Sequence, residues 1–313
     1  LERVAANEWV WVQAAGGARE AATIVVWNQA GALIASHLTA EQPAAPAPPA
    51  GPAPAAAPPP PAAPPAAPAP PPAPDAVAAL GTILSVWAHP DDETYLAAGV
   101  MAAARDHGQR VVCATATAGE RGTDDPDTWP PDRLGRVRRW EAAAAMAVLG
   151  VREHLVLGLP DGDLAAHEEE GLDWAGRLVD AVAPDTILTF GPDGMTFHPD
   201  HLAVHRWVTA AWHRRGRPGR LLHATPTAEH LAAFGDRYEE WGIYMTEQRP
   251  TGVPVADVDL HLCLTGPALD RKLAALRAMS TQTAGAIALL GPATYAAQVA
   301  EEVFVAAPAA PPG

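Results

Sequence analysis

A run of 32 residues, 43–74, contains only proline, alanine and one glycine: 17 Pro, 14 Ala and Gly51. No part of a core can form from it. Proline lacks the amide donor that helices and sheets need, and alanine offers too little apolar area to offset the entropy of ordering. The composition predicts an extended polyproline II spacer of at most roughly 100 Å, at ~3.1 Å per residue. This stretch holds half of the chain's 34 prolines, so the remainder is free to fold conventionally. A proline-rich ligand for a recognition domain is the alternative reading, and no basic residue flanks a P-x-x-P here to support it.

The spacer organises everything else. Residues 1–42 form a short β-rich segment, with strand-like runs Glu8 to Val12, Thr23 to Trp27 and Ala32 to Ile34, and turns at Gly16-Gly17 and Asn28 to Gly31. Three short strands are a marginal unit alone, which suggests a domain fragment. Residues 75–305 form the main domain. Residues 306–313 repeat the spacer composition and are expected to be a disordered tail.

In the main domain, strand and helix signals alternate. Strands are expected at 83–88, 110–117, 154–157 and 186–190. Helices are expected at about 94–106, 132–149, 172–182 and 200–214, with Gly150 and Pro184 as stop signals. This order predicts an α/β, Rossmann-like fold, a mainly parallel sheet with helices on both faces. Ligands in such sheets sit beyond the carboxyl ends of the strands, so the chemistry should follow the strands directly.

Charge narrows the function classes. The chain carries 21 Lys and Arg against 36 Asp and Glu, a net charge of −15. A balance so acidic repels phosphates at long range, which argues against nucleic-acid and anionic-membrane partners and for a small-molecule substrate. Two cysteines, Cys113 and Cys263, cannot make a disulfide framework or a cysteine-based zinc knuckle, and they fit a reducing compartment. No apolar run of membrane-spanning length and no signal-peptide pattern is present, so a cytoplasmic location is expected.

Two polar clusters stand where the fold puts chemistry. After the first strand of the main domain comes His89-Pro90-Asp91-Asp92-Glu93, and after the fourth comes Gly191 through His201, ending His198-Pro199-Asp200-His201. Either alone reads equally well as a turn that caps the next helix. Together they place His, Asp and His on strands that should be neighbours, and three such ligands plus water is the open pattern of a catalytic zinc. The same set accepts Fe(II), Co(II) or Mn(II).

These two motifs, in this order, resemble the signatures of the PIG-L/LmbE-like zinc de-N-acetylases, a family that includes N-acetylglucosaminyl-phosphatidylinositol deacetylase and the mycothiol-pathway deacetylase and amidase. The resemblance spans roughly residues 82–305 and includes Thr117 to Gly122, Arg138 to Glu141 and Leu159 to Gly162. It implies zinc ligands His89, Asp92 and His201. It implies Asp91 as the general base on the attacking water, and His198, oriented by Asp200, as the electrophilic group beside the oxyanion and proton donor to the leaving amine. It implies Arg138 and Asp161 as substrate-binding residues. The reaction implied is hydrolysis of an N-acetylglucosaminyl amide to acetate and an amine. One departure bears on substrate: the mycothiol-pathway members have a histidine where this chain has Met279. An amidase of a thiol conjugate, a deacylase of a glycosylated natural product, and a non-catalytic sugar-binding module stay open as alternatives. Glu93 and His205 read as supporting residues, Trp129 and Trp140 as packing residues, and His230 and His261 as surface or structural.

Overall fold

A computed structural model describes the backbone of strands Glu8–Gln13 (β1), Thr23–Asn28 (β2) and Leu33–His37 (β3), and residues 74–244 and 246–308. These fall into two compact units, Leu1–Ala67 and Pro68–Gly313. In the first, β2 pairs antiparallel with β1 and β3. The turns expected at Gly16-Gly17 and Asn28 to Gly31 and the spacer up to residue 73 lie outside the described residues, apart from Asn28, which ends β2.

The second unit opens with a short helix, Pro74–Ala78 (α1). It continues through Ile83–Trp87 (β4), Asp92–Leu96 (α2), Ala98–Asp106 (α3), Val111–Thr115 (β5), Pro131–Leu149 (α4) and Glu153–Val156 (β6). Then follow Glu168–Val182 (α5), Thr186–Phe190 (β7), Pro199–Arg214 (α6), Arg220–Ala224 (β8), Ala228–Glu240 (α7) and Leu260–Cys263 (β9). Gly266–Ala278 (α8), Ser280–Leu290 (α9), Pro292–Val299 (α10) and Glu301–Ala306 (β10) complete it. The sheet order is β6-β5-β4-β7-β8-β10-β9. The first five of these strands run parallel, while β10 is antiparallel to both β8 and β9. The mainly parallel α/β sheet expected from the sequence is therefore present, closed at one edge by an antiparallel pair. Among the described residues no single helix is long and apolar enough to cross a membrane.

β4, β5 and β7 are buried at every position, which is why they read as unbroken apolar runs rather than alternating ones. Helix signals also hold: α4 starts with Pro131 in its first turn and stops at Gly150, whose φ of 77° is left-handed. The helix expected at 94–106 is two helices, α2 and α3, broken at Ala97, where φ is −141°. Ala306, grouped with the tail by composition, is the last residue of β10. Ala306 pairs with Leu222, because the antiparallel ladder continues past the last charged residue, and 309–313 lie outside the described residues.

The chain order makes β4 the switch point: the chain passes from β4 outward to β5 and β6, then returns to β7 on the other side. A crevice forms at the carboxyl ends of β4 and β7, where a helix leaves toward each side. Both polar clusters follow these two strands.

The chain's only lysine, Lys272 in α8, is buried and ties this architecture together. Its Nζ donates to Glu302 at 2.8 Å and to the Tyr95 carbonyl at 2.6 Å, while Glu302 also accepts the N–H groups of Gly99 and Val100 at the start of α3. Removing one partner of a buried pair leaves an uncompensated charge and costs about 3–5 kcal/mol. Lys272→Met should therefore lower Tm by roughly 10 °C, at about 2–4 °C per kcal/mol for a domain of this size. A calorimetric Tm within about 2 °C of the parent would mean that the two N–H groups alone hold Glu302.

Candidate active site

The turn after β4 is strained and heavily tethered. Asp91 has φ 140°, ψ −31°, a conformation rare for a residue with a Cβ and one that clusters at functional sites. Its carbonyl accepts the N–H groups of Thr94 and Tyr95, starting α2, and its own N–H donates to the buried Glu93 carboxylate at 3.1 Å. The Thr94 hydroxyl also donates to Glu93, and burial pushes that acid up to about 8. Arg138, reaching in from α4, donates to the Pro90 carbonyl at 2.6 Å and the Gly119 carbonyl at 2.7 Å, and sits 3.2 Å from Asp91 Oδ2. Burial pushes Asp91 up to about 6, opposed by the Arg138 charge.

The second cluster is the first turn of α6. His198 is the N-cap, and its Nδ1 accepts the Asp200 N–H at 3.1 Å; Pro199 follows with no donor to lose. His201, three residues into the helix, turns back over the strand end. Its ring stacks on Phe190 at 4.1 Å, and its Nδ1 donates to the Gly194 carbonyl at 2.8 Å. Gly194 has φ +59°, and a Cβ there would lie 2.7 Å from the His201 Cβ, so this position needs glycine.

The two clusters meet. His201 Nε2 lies 3.2 Å from His89 Nδ1 and 3.4 Å from Asp92 Oδ1, and His89 Nδ1 lies 3.6 Å from Asp92 Oδ2. Tetrahedral bonds of about 2.0–2.1 Å place neighbouring ligand atoms about 3.3–3.4 Å apart, close to this spacing. The chemistry of the donors agrees. His201 spends its Nδ1 proton on Gly194, which leaves a lone pair on Nε2. His89 points Nε2 at two carboxylates, Asp161 at 3.1 Å and Asp200 at 3.2 Å, which turns Nδ1 inward. A proton or a cation must lie between two facing ring nitrogens, and the Asp92 carboxylate turns Oδ1 toward His201 and Oδ2 toward His89, so these three buried side chains can surround a divalent metal. Burial lowers His201 to about 4, which keeps its ring neutral and ready to ligate. Burial would lower His89 too, but its bonds to Asp161, Asp200 and Asp92 outweigh this and hold it well above the usual histidine range. Imidazole ligands backed by carboxylates are the usual arrangement around a metal. The ring of His198 stands 4.8 Å from that of His201 and 4.9 Å from that of His89.

Three of the expected site residues are held as follows. Asp200 does not orient His198 through its carboxylate, which is spent on His89 and on the N–H groups of Gly162 and Leu164; only its backbone N–H reaches His198. Asp161 has both oxygens engaged within the protein: one faces His89, and the other accepts the Arg121 N–H at 2.8 Å. Arg138 is buried beneath the Asp91 turn, with both terminal nitrogens on backbone carbonyls. Met279 is in the core, so the departure noted there does not face the site. Trp129 packs under Arg133 as expected, whereas Trp140, also expected to pack, lies exposed. The His205 ring is held by the Phe190 backbone carbonyl at 2.9 Å, a supporting place.

Sequence reasoning missed the wall of the site. A cavity of about 360 Å³ opens off Asp92 and His201, lined by Tyr95, Tyr238, Trp241, Tyr244 and Tyr295 among others. Tyr238, Trp241 and Tyr244 recur every third residue in one stretch, but nothing in the sequence brings that stretch to Tyr95 and Tyr295.

Comparison with known proteins places the chain in a family. Residues 84–212 match the family model described as PIG-L, GlcNAc-PI de-N-acetylase. A protein of Saccharomonospora viridis named 1D-myo-inositol 2-acetamido-2-deoxy-alpha-D-glucopyranoside deacetylase is 32% identical over 228 residues, covering 64% of this chain and 84% of that protein. Its namesake in Mycolicibacterium vanbaalenii is also 32% identical, covering 64% and 80%. Among solved structures, N,N'-diacetylchitobiose deacetylase from Pyrococcus horikoshii shares the fold, with a TM-score of 0.52 at 19% identity over 75% of this chain and 86% of that one. The chain belongs to the PIG-L family of de-N-acetylases and is an enzyme of that amide-hydrolysing class.

Proposed function

We propose that the protein is a zinc-dependent de-N-acetylase, removing the acetyl group from the amide nitrogen of an N-acetylglucosaminyl small molecule. The observation that carries this reading is the meeting of His89, Asp92 and His201 at tetrahedral spacing, with Asp91 beside them in a strained turn. The names of the relatives supply the substrate class. We assign the catalytic domain to residues 75–305.

Zinc held by these three residues would supply a Lewis acid, able to lower the pKa of water from about 15.7 to about 7 and to polarise an acyl oxygen. Asp91 takes the proton that the attacking water gives up. Arg138 fixes its carboxylate through Oδ2, and Glu93 fixes its backbone N–H. His198 caps α6 with Nδ1, so the proton of the neutral ring sits on Nε2, where it donates to the acyl oxygen as negative charge develops there. A neutral ring with Nδ1 committed as an acceptor has no second proton to spare. We therefore give Asp91 the further task of passing its proton to the leaving amine nitrogen. Asp161 and Asp200 keep the His89 ring in the orientation and tautomer that a metal requires.

The reading is tested by acetate release from N-acetylglucosaminyl-inositol and from N-acetylglucosamine, using protein stripped by a chelator and then given one equivalent of zinc. Stripping should abolish acetate release and zinc should restore it. Full activity in protein shown to be metal-free would overturn the assignment, and restoration by Fe(II) but not zinc would correct the metal.

A further inference from the structure

The cavity that opens off Asp92 and His201 is larger than an acetyl group needs, at about 360 Å³. That is within the usual range for sites that enclose most of a small ligand. Its walls combine aliphatic side chains, such as Leu96, Leu231 and Ile243, with the rings of Tyr238, Trp241 and Tyr244. Several polar groups are present; the Gln298 side-chain oxygen has no protein partner, and others are engaged with each other. Tyr295 donates its hydroxyl proton to the Tyr95 oxygen at 2.9 Å. The Tyr238 hydroxyl is 2.7 Å from His230 Nε2.

The two acids in the wall are engaged as well. Glu301 is held by His230 at 3.1 Å, by His261 at 2.6 Å, and by the Thr227 hydroxyl. Glu302 is held by Lys272 and by two backbone N–H groups. With most of its buried polar groups so engaged and its walls largely aliphatic and aromatic, the cavity offers a ligand more apolar surface than free polar atoms. A polyhydroxylated ring placed there would lose its bonds to water and gain few in return.

We infer that this cavity is a binding subsite for an apolar, ring-sized or chain-like group attached to the substrate amide, carried either as the aglycone of the sugar or as the acyl group. This chemistry differs from the cyclitol in the names of the relatives. The inference rests on the amide-hydrolase reading for which end of the substrate meets Asp92 and His201, and on the wall chemistry for everything else. The cavity joins the donor triangle directly, so its occupant is part of the same molecule that reacts.

The test compares four probes: benzyl N-acetylglucosaminide, N-octanoylglucosamine, N-acetylglucosaminyl-inositol and N-acetylglucosamine. The zinc-loaded protein is assayed for kcat/KM on each, and the chelated protein is titrated calorimetrically with each. At least one apolar probe should exceed the inositol compound by about tenfold or more in both, the scale on which an apolar pocket discriminates. The benzyl probe leading places the aglycone in the cavity; the octanoyl probe leading places the acyl chain there. Ile243→Asn should narrow that ratio by weakening the apolar probe. The inositol compound binding as tightly as both apolar probes overturns the inference. If zinc-loaded protein turns over none of the four, the deacetylase reading fails, and the calorimetric ranking still decides the subsite.

Discussion

Asp91→Asn is expected to lower kcat by about 10²–10⁴-fold, the usual contribution of a positioned general base. The protein should still hold one zinc per chain and keep its Tm. The substitution is nearly isosteric and preserves the contact that Arg138 makes with one side-chain oxygen. Asparagine also tolerates positive φ better than most residues, so the backbone at 140° imposes little additional strain. What is lost is the ability to accept a proton, since an amide oxygen is a far weaker base than a carboxylate. Single-turnover acetate release separates this from slower binding. The assignment fails if the Asp91→Asn variant retains activity within about threefold of the parent. Alanine at the same position is a less clean probe, because it also removes the Arg138 contact and leaves a buried guanidinium with one partner fewer.

The sequence made the centre of this site legible and left its support and its walls hidden, for physical reasons. Metal-type donors and the acid beside them are short-range features. They lie within five residues of each other in each motif, after two strands whose apolar runs mark them as central. Their convergence follows from β4 and β7 being adjacent, which the order of elements alone does not fix. What supports the ligands depends on long-range placement. Asp200 serves His89 because the 160–164 loop offers two N–H groups that turn its carboxylate away from its neighbour in sequence. Arg138 lies beneath the Asp91 turn because α4 crosses under it, and Gly119 leaves room for the guanidinium there. Neither fact has a local signature. The cavity wall is harder still to read. Its parts come from α2, from α7 and the segment after it, and from α10 and β10, regions with short strands, an antiparallel edge and no charged motif.

His201→Ala is expected to have the largest effect of any single change at the site: zinc content falling from one per chain to below about 0.1, and acetate release falling at least about 10³-fold. Lewis-acid stabilisation is worth several kcal/mol, and about 4 kcal/mol corresponds to that factor. Only His89 and Asp92 would remain as strong donors, and two ligands do not hold zinc in an open site that normally needs three. His198 stands close enough to be considered a replacement, with its ring 4.9 Å from that of His89. However, its Nδ1 is committed to capping α6, and moving the ring inward would release the Asp200 N–H. The fold should survive, because His201 sits at the start of α6 rather than in the sheet. Its ring gives up the stacking contacts with Phe190 and His198, the bond to Gly194, and the approach to His89 and Asp92. Metal analysis and circular dichroism on the same sample distinguish the outcomes. A folded, zinc-free, inactive protein supports the ligand assignment. A folded protein that still binds one zinc would move the third ligand to His198 and require a different electrophile for the acyl oxygen.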